Sequence, residues 1–524
     1  MKGKLLSWIV LLSVLTACTA SDIQSPSSTP TTIDTKPTAT KEPIISTTTP
    51  IVIDATPTPT KEPVVSTINV DDYGANPYDD QPDSRAIQSA LNDLKNGETL
   101  LFSSGEGDSG YMGYLINETL FIIYRAGKND ITLTSTDPEK PALLQATSDL
   151  LGFVVHLYSR SNFHYPGLLD DITLRDLTID AGRETRICAG SDKIPNGKDD
   201  NYGSWVVGEC GEKDDPWCNA GGISLAGAID WEDYDQDYSA NPGLWTTGLT
   251  VENVTIRNVE CGTALGISGA ECTVRNSTIN TAGEHTHTYG CTATDPDGEL
   301  SFWSDGITFD GVKMTIENNR VVNASDVGIV FFGGKDVRIV GNTVISEDGN
   351  YGAFAGIAVH PWGFGDISGM EVSGNTVIST SDQRCGGIHA GINIGAHMWN
   401  KGCVGAAQSG TVGNANSCIE GPANPEGARC EVSQPCQIWG YVPPGQKIVL
   451  SDNLVRGAHI NYLVDGVDVQ GTFVVSGNVS ESPQETCWFA AGNGCEGRTW
   501  GPLDFVALNP KIEGWLERMI YCEW

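Results

Sequence analysis

The chain has 524 residues, with 31 Lys and Arg against 66 Asp and Glu, so its formal charge is −35 at pH 7. This charge excludes nucleic acid as a partner, because binding phosphates requires a basic surface that releases counterions. An acidic polysaccharide would likewise need a local basic groove or a bridging cation. Glycine, at 61 residues, is frequent, which indicates many tight turns between short strands.

The N-terminus carries a targeting signal. Two lysines precede an apolar run that is too short to span a membrane, and residues 1–17 therefore predict a signal peptide. The run ends in Leu15-Thr16-Ala17-Cys18, which resembles a bacterial lipoprotein cleavage box and implies lipidation of Cys18. We therefore expect the chain to be lipid-anchored to the bacterial membrane, outside the cytoplasm and at the cell surface. A plain secretory signal with an incidental cysteine is the alternative.

The cysteine count agrees with export. Of 15 cysteines, 14 remain when Cys18 is set aside, and this even number predicts mainly disulfide pairing in an oxidising compartment. The competing interpretation is an intracellular zinc protein. No C-x-x-C pair occurs, which argues against it.

Residues 18–67 predict a stalk. The segment is rich in Thr, Ser and Pro, and the sequence Thr40–Thr47 returns in similar form as Thr60–Thr67. Such a tract cannot bury a core, and its prolines keep it extended.

A folded domain is predicted for residues 68–524. Ile68–Val70 predicts a short strand that Gly74 ends, and Asp83-Ser84 is predicted to cap an amphipathic helix with Ile87 and Leu91 on one face. This order resembles the N-terminal segment of right-handed β-helices of the pectate lyase superfamily. The resemblance implies a helical cap on the open end of the core, and a structural role for residues 71–73.

Internal repeats support the same fold. Units such as "LTVENVTIRN", "CTVRNSTINT", "MTIENNRVVN" and "VRIVGNTVIS" alternate apolar and polar positions. The period is 23 residues from Asn253 to Asn276 and again from Asn319 to Asn342, as in a stacked solenoid. We expect these asparagines to stack as one ladder, coil above coil. The pattern fits neither leucine-rich repeats nor propeller blades, so the predicted fold is an all-β, right-handed parallel β-helix.

Longer spacings between repeats predict loop insertions. Asn276 and Asn319 are 43 residues apart, and Asn375 and Asn453 are 78 apart. These insertions and residues 184–245 hold much of the cysteine, so we expect ordered, disulfide-bonded loops.

Asp305 and Asp326 are the predicted catalytic pair. Trp303-Ser-Asp-Gly resembles the N-T-D-G motif of polygalacturonases, and Ala324-Ser-Asp-Val weakly resembles their Q-D-D-C motif. The resemblance implies acid/base roles for both aspartates. The family's G-H-G motif has no counterpart in Gly352–Gly356, and its R-I-K motif is absent, so the chain departs from a true polygalacturonase. The alternative is that Asp305 lies in an ordinary turn and Asp326 in a bend.

Further side chains are candidates for binding a substrate. Glu284-His285-Thr286-His287 places two histidines at alternate positions, which point the same way on a strand. Arg384 could bind a substrate carboxylate, and Trp362, beside His360, could stack on a sugar ring. The candidates are His285, His287, His360, Trp362, Arg384 and His389. Turn packing is the alternative for each.

An acidic loop predicts a calcium site. Asp233, Asp235 and Asp237 alternate along the chain, and calcium takes six to eight oxygen ligands. A solvated acidic loop is the alternative, and the predicted hydrolysis requires no cofactor.

Together these features predict an extracellular, membrane-anchored enzyme that degrades a polysaccharide, with glycoside hydrolysis through the Asp pair preferred. One alternative is a calcium-dependent polysaccharide lyase with Arg384 as its base. The other is a glycan-binding or adhesive surface protein without catalysis. The expected partners are a polysaccharide and the membrane, and not nucleic acid.

Overall fold

A computed structural model describes residues 66–105, 107–123, 129–150, 152–158, 170–182, 221–226, 245–259, 262–283, 304–347, 352–360, 366–380, 387–395, 440–458, 460–465, 467–482, 503–508 and 519–521. The predicted signal peptide, Cys18 and nearly all of the stalk lie outside these ranges. No helix among the described residues is long and apolar enough to cross a membrane.

Nearly all of the regular secondary structure among the described residues is strand. The strands up to residue 317 are β1 (Thr67–Asn69), β2 (Thr99–Phe102), β3 (Tyr114–Ile116), β4 (Leu120–Ile123), β5 (Ile131–Ser135), β6 (Ala142–Ala146), β7 (Val155–Tyr158), β8 (Ile172–Arg175), β9 (Leu177–Asp180), β10 (Ile223–Ala226), β11 (Thr250–Glu252), β12 (Thr255–Val259), β13 (Gly262–Ala270), β14 (Thr273–Arg275), β15 (Thr278–Ala282), β16 (Ser304–Val312) and β17 (Thr315–Glu317). The later strands are β18 (Arg320–Ala324), β19 (Val327–Phe331), β20 (Arg338–Val340), β21 (Thr343–Ser346), β22 (Gly352–Val359), β23 (Glu371–Ser373), β24 (Thr376–Ser379), β25 (Gly387–Gly395), β26 (Gly440–Val442), β27 (Lys447–Ser451), β28 (Leu454–Arg456), β29 (Ile460–Asp465), β30 (Val467–Val469), β31 (Thr472–Ser476), β32 (Val479–Glu481), β33 (Leu503–Leu508) and β34 (Met519–Tyr521).

These strands form three long parallel sheets. The first sheet is β1-β2-β5-β8-β11-β14-β17-β20-β23-β27-β31, and the second is β3-β6-β9-β12-β15-β18-β21-β24-β28-β32. The third sheet is β4-β7-β10-β13-β16-β19-β22-β25-β29-β33-β34, and β26 pairs with β30. From β2 to β33, each coil of the chain contributes one strand to each long sheet before the next coil begins. The fold is a right-handed parallel β-helix, which confirms the prediction.

The core is a stack of identical positions. In the first sheet the middle residue of each short strand points inward, so that Val251, Val274, Ile316 and Ile339 lie in register and are fully buried. The flanking residues of the same strands are only partly buried. This alternation is what a half-buried strand requires, and it explains why the repeats are visible in the sequence.

An asparagine ladder runs along the turn between the first and second sheets. Asn319, Asn342, Asn375 and Asn453 each donate from Nδ2 to Oδ1 of the next member at 2.8–3.0 Å, and Asn478 ends the row. Each Oδ1 also accepts from the backbone N–H of the preceding member. The predicted ladder is therefore present in these coils.

Asn253 and Asn276 lie outside the ladder, so the prediction is wrong for them. Both adopt positive φ angles, 54° and 52°, one residue before the ladder position. That position is filled by Val254 and Ser277, and Ser277 donates its N–H to Asn319 Oδ1 at 3.0 Å. Asparagine suits both positions, because its amide stacks well and because it tolerates the left-handed conformation.

Helix α1 (Ser84–Asp93) packs on the N-terminal end of the core through Ile87, Ala90 and Leu91. Asp83 precedes it but makes no side-chain cap, which corrects the predicted capping role. Its carboxylate instead accepts from the N–H groups of Asn76 and Leu115, at 2.8 and 2.9 Å. That α1 closes the open end of the core stays a prediction.

The segment before α1 is held by hydrogen bonds. Strand β1 ends at Asn69, and residues Val70–Tyr73 form a 3₁₀ turn. The Asp71 carboxylate accepts from the Tyr114 and Ser103 hydroxyls, and the Tyr73 hydroxyl donates to Asp93 at 2.9 Å. These contacts agree with a structural role for residues 71–73.

Cys272 is a free, buried thiol and so does not belong to the predicted disulfides, while mainly paired cysteines elsewhere stay a prediction. Burial raises the pKa of the thiol to about 12. Without Cys18 and Cys272, thirteen cysteines remain. Because thirteen is odd, they cannot all pair with one another, and the cysteine count no longer favours an unpaired Cys18. These other cysteines lie outside the described residues.

Candidate functional site

The candidate site lies on the outer face of the third sheet. In β16, Ile307 and Phe309 belong to the core. Because side chains alternate along a strand, Thr308 and Asp310 point outward. Asp305 is on the same side, because Thr308 Oγ1 donates to its Oδ2 at 2.9 Å. Two of these outward side chains are nevertheless buried: Asp305 is 2% exposed and Thr308 4%.

Hydrogen bonds hold the Asp305 carboxylate from two sides. Its Oδ1 accepts from the backbone N–H of Val327 in the next coil at 3.1 Å. Thr308 Oγ1, which donates to Oδ2, lies 2.8 Å from Thr263 Oγ1 in the preceding coil. One carboxylate thus joins three successive coils.

Asp326 lies in the bend between β18 and β19. Its N–H donates to the Ser304 carbonyl at 3.1 Å, and Asp305 is bonded to the residue that follows it. The two aspartates therefore lie in adjacent coils, with a backbone spacing of about 4.8 Å. Asp326 is partly exposed, although its Oδ1 is buried and has no hydrogen-bond partner among the described residues.

Burial and mutual repulsion hold a proton on this pair. Burial raises the pKa of Asp305 well above its ordinary value, and the charge of Asp326 raises it further. Burial raises the pKa of Asp326 to about 7. With both pKa values raised, the pair can hold a proton on one carboxyl while the other is ionised near neutral pH, which provides a proton donor and a proton acceptor in adjacent coils.

Asp310 is a third carboxyl on this face, partly buried, and sequence reasoning missed it. It accepts a hydrogen bond from the Ser268 hydroxyl, and burial raises its pKa to about 8. A signal was available, since Ser268-Gly269 and Asp310-Gly311 occupy the same register of adjacent coils. A polar residue before an aligned glycine marks this row.

Two predicted histidines lie in the same sheet. His360 follows β22, is fully buried, and packs edge-on against Phe332. Burial lowers its pKa to about 3, so the ring is neutral. His389 is part of β25, which pairs with β22. In this register the backbone of His389 lies opposite that of Phe354, and the Phe354 N–H donates to the carbonyl of Asp326. Their contacts with a substrate stay predictions.

The remaining predicted residues lie outside the described residues. These are His285, His287, Trp362, Arg384, and the acidic loop with Asp233, Asp235 and Asp237. Among the side chains that the structure does describe, no group of three or more His, Cys, Asp or Glu could hold a metal ion. The calcium site therefore stays a prediction.

A family described as "Right handed beta helix region" matches residues 239–403, which include both aspartates. No curated protein sequence matches the chain.

Among solved structures, the catalytic domain of Agl-KA is similar at 14% identity and a TM-score of 0.37, over 81% of this chain and 66% of that one. PfbA, a surface adhesin of Streptococcus pneumoniae, is similar at 17% identity and a TM-score of 0.34, over 80% of this chain and 92% of that one. The polygalacturonase from Erwinia carotovora ssp. carotovora is similar at 11% identity and a TM-score of 0.37, over 86% of this chain and 90% of that one. The chain thus spans 66% of the first of these proteins.

Proposed function

We propose that this chain is an extracellular glycoside hydrolase that cleaves a polysaccharide through Asp305 and Asp326. One observation carries the proposal: two carboxyls in adjacent coils share a buried environment that raises the pKa of both. Glycoside hydrolysis requires one protonated and one ionised carboxyl on the two sides of a glycosidic bond. A protonated and an ionised carboxyl in adjacent coils supply these two groups without a cofactor.

In the proposed reaction the protonated carboxyl gives its proton to the glycosidic oxygen as the bond to the anomeric carbon breaks. The ionised carboxylate stabilises or attacks the electron-poor anomeric carbon, or takes a proton from the attacking water. Water supplies the new hydroxyl, and its proton restores the acid. Asp326 is the partly exposed member, so we assign it the contact with the sugar, while Asp305 is held by Thr308 and the Val327 N–H.

Desolvation explains why these positions suit an acid. An isolated surface aspartate is ionised at neutral pH and cannot donate a proton. The carboxyl of Asp305 is buried and lies beside a second acid, and both conditions favour its protonated form. The hydrogen bonds from Thr308 and Val327 oppose this shift, which keeps the proton transferable.

The expected setting is the outside of the bacterial cell. We propose that residues 1–17 are removed and that lipidated Cys18 anchors the chain, because an enclosed cell cannot import a large polymer before it is cut. Mass spectrometry of the mature N-terminus tests this part separately. A mature chain with an unmodified Cys18, or one that starts elsewhere, contradicts the anchor and leaves the hydrolase proposal intact.

A product analysis tests the function. The full chain is incubated with neutral and uronate-containing polysaccharides, with and without EDTA. We expect new reducing ends on saturated sugars, with no loss of activity in EDTA. An unsaturated product that EDTA abolishes would establish the calcium-dependent lyase instead, and tight binding without any cleavage would establish a binding or adhesive protein.

A further inference from the structure

A groove lies on a different sheet from the Asp305–Asp326 pair. It has a volume of about 510 Å³ and crosses the outward face of the first four strands of the first sheet, β1, β2, β5 and β8. Three strand spacings of about 4.8 Å make it roughly 14 Å long along the β-helix axis. The size falls within the range of small-molecule sites, and the Asp305–Asp326 pair belongs to the third sheet.

Hydroxyl groups repeat along this groove. Thr67, Thr99 and Thr132 are in register in successive coils, and all three line the groove. Their side chains point away from the core and thus present one hydroxyl and one methyl group every ~4.8 Å. The neighbouring row adds Leu101 and Thr134. The surface is therefore a periodic mixture of apolar patches and hydrogen-bonding groups.

The end of the groove holds a fixed carboxylate. Asp176 accepts from Thr134 Oγ1 at 3.3 Å and from Asn253 Nδ2 at 3.2 Å. A carboxylate has about four lone-pair directions, so these two bonds orient it and leave capacity for a ligand. Asp130, which is exposed, lines the same groove.

Arg175 adds a guanidinium to the groove. Its side chain is 49% exposed, and the Asp176 carboxylate lies 3.8 Å from Nε, which is too far for a hydrogen bond. Glu252, the next residue in the same row, is bonded by Arg275 at 3.0 Å. Arg175 lines the groove, and apart from this long ion pair with Asp176 its guanidinium has no carboxylate partner among the described residues.

We propose that this groove binds a neutral, linear oligosaccharide chain, as a site separate from the carboxylate pair. Threonine methyls and Leu101 contact the apolar faces of the sugars, while the threonine hydroxyls, Asp130, Asp176 and Arg175 bond to their hydroxyls. The groove has two carboxylates and one guanidinium, and the whole chain has a formal charge of −35. Both favour a neutral ligand over an anionic one. The site would hold a polymer on the protein between cleavage events, and its existence does not depend on the proposed hydrolysis.

The test measures binding in the full chain with Asp305→Asn and Asp326→Asn combined, so that no probe is cut. The probes are short linear gluco-, manno-, xylo- and galacto-oligosaccharides, with oligogalacturonate as the anionic comparison, in calorimetric titrations. We expect a neutral probe to bind, and Arg175→Gln to weaken it by about tenfold or more, as for one lost hydrogen bond to a charged group. Thr132→Val should weaken it less.

The matched control is Arg275→Gln, which removes a similarly exposed arginine of the same row outside the groove and should leave binding unchanged. The proposal is overturned if no neutral probe binds, if oligogalacturonate binds in preference, or if Arg175→Gln binds as the parent does. Turnover by the chain with an intact Asp pair is measured in parallel. Binding without turnover would refute the hydrolase and leave this site standing, whereas turnover without groove binding would do the reverse.

Discussion

Two rows of buried polar side chains run along this β-helix, and they differ in how completely their hydrogen bonds are made. In the ladder, Asn342 donates to the Ile316 carbonyl at 2.8 Å and to Asn375 Oδ1 at 3.0 Å, and it accepts from the Asn319 N–H and amide. All four hydrogen-bonding sites of its amide are filled. On the third sheet, Asp326 Oδ1 is equally buried and has no partner among the described residues.

This difference separates a structural row from a chemical one. A buried amide with every bond made stabilises the coil stack and does not titrate. A buried carboxyl with incomplete hydrogen bonding destabilises the fold when it ionises, so it keeps its proton to higher pH. Such a group is a poor structural element and a suitable acid, which is why the site is assigned to the carboxyl row.

The largest expected effect is on turnover. Replacing Asp305 or Asp326 by Asn should lower kcat by at least about a hundredfold, because a general acid or base contributes ~10²–10⁴-fold. Turnover is measured on the polysaccharide that the parent cleaves, with circular dichroism to check the fold. The control is Asp452→Asn, at an exposed left-handed position of the kind that Asn253 and Asn276 occupy. Full activity in both variants of the pair would refute their roles.

The ladder should respond in stability instead. Asn342→Ala removes four hydrogen bonds and leaves buried groups unsatisfied, at about 1–3 kcal/mol each, so we expect a loss of at least about 2 kcal/mol in the free energy of unfolding. Urea denaturation measures it. Asn280→Ala, at an exposed asparagine, should change stability by less than about 0.5 kcal/mol. Equal losses in the two variants would show that the ladder is energetically unimportant.

Asp310 connects the carboxyl row to a pH dependence of stability. Its pKa is about 8 in the folded chain and ordinary when unfolded, so the unfolded state releases the proton first as pH rises. The protonated Asp310 therefore contributes its full share to the free energy of unfolding below about pH 4. This contribution is lost progressively up to about pH 8, at no more than ~1.4 kcal/mol per pH unit. We expect Asp310→Asn to reduce this decline.

Thermal unfolding between pH 4 and pH 8 measures that effect. The Asp305–Asp326 pair has the same sign, so part of the decline should remain in the Asp310 variant. If the parent instead becomes more stable between pH 4 and pH 8, or if the variant and the parent have parallel profiles, Asp310 is not held protonated by the fold.

The smallest effect concerns the group that positions Asp305. Thr308→Val keeps the shape of the side chain and removes its hydrogen bond to Oδ2. Because this bond lowers the pKa of Asp305, the pKa should rise, and the limb of the pH–rate profile that reports it should move up by about one pH unit or less. Thr315→Val on the first sheet is the control, with an unchanged profile. A uniform loss of rate without a shift would indicate a purely structural role.

The fold was readable from sequence because its signal is local and repeated. An inward apolar residue at the middle of each short strand, as at Val274 and Ile316, recurs with every coil. Parallel pairing in register then stacks each position on itself. The same regularity predicts that Asp305 and Asp326 lie in adjacent coils.

Other features depended on tertiary structure. Asparagine is suited both to the left-handed turn position and to the ladder position that follows it. Only the folded backbone therefore shows that Asn276 lies in the turn and Asn319 in the ladder. Asp83 was expected to cap a helix, but its carboxylate binds the N–H of Leu115, a residue distant in sequence.

The sequence by itself determined the coil, its repeat and the neighbouring aspartates, because each follows from a short periodic pattern. Tertiary structure alone decided the burial of Asp305, the free thiol of Cys272 and the groove of the first sheet. Burial and groove shape arise from contacts between coils whose chain separation varies with each insertion, and no local pattern encodes them. The pKa values of the carboxyl row follow from that burial, so the chemistry became visible only in the folded chain.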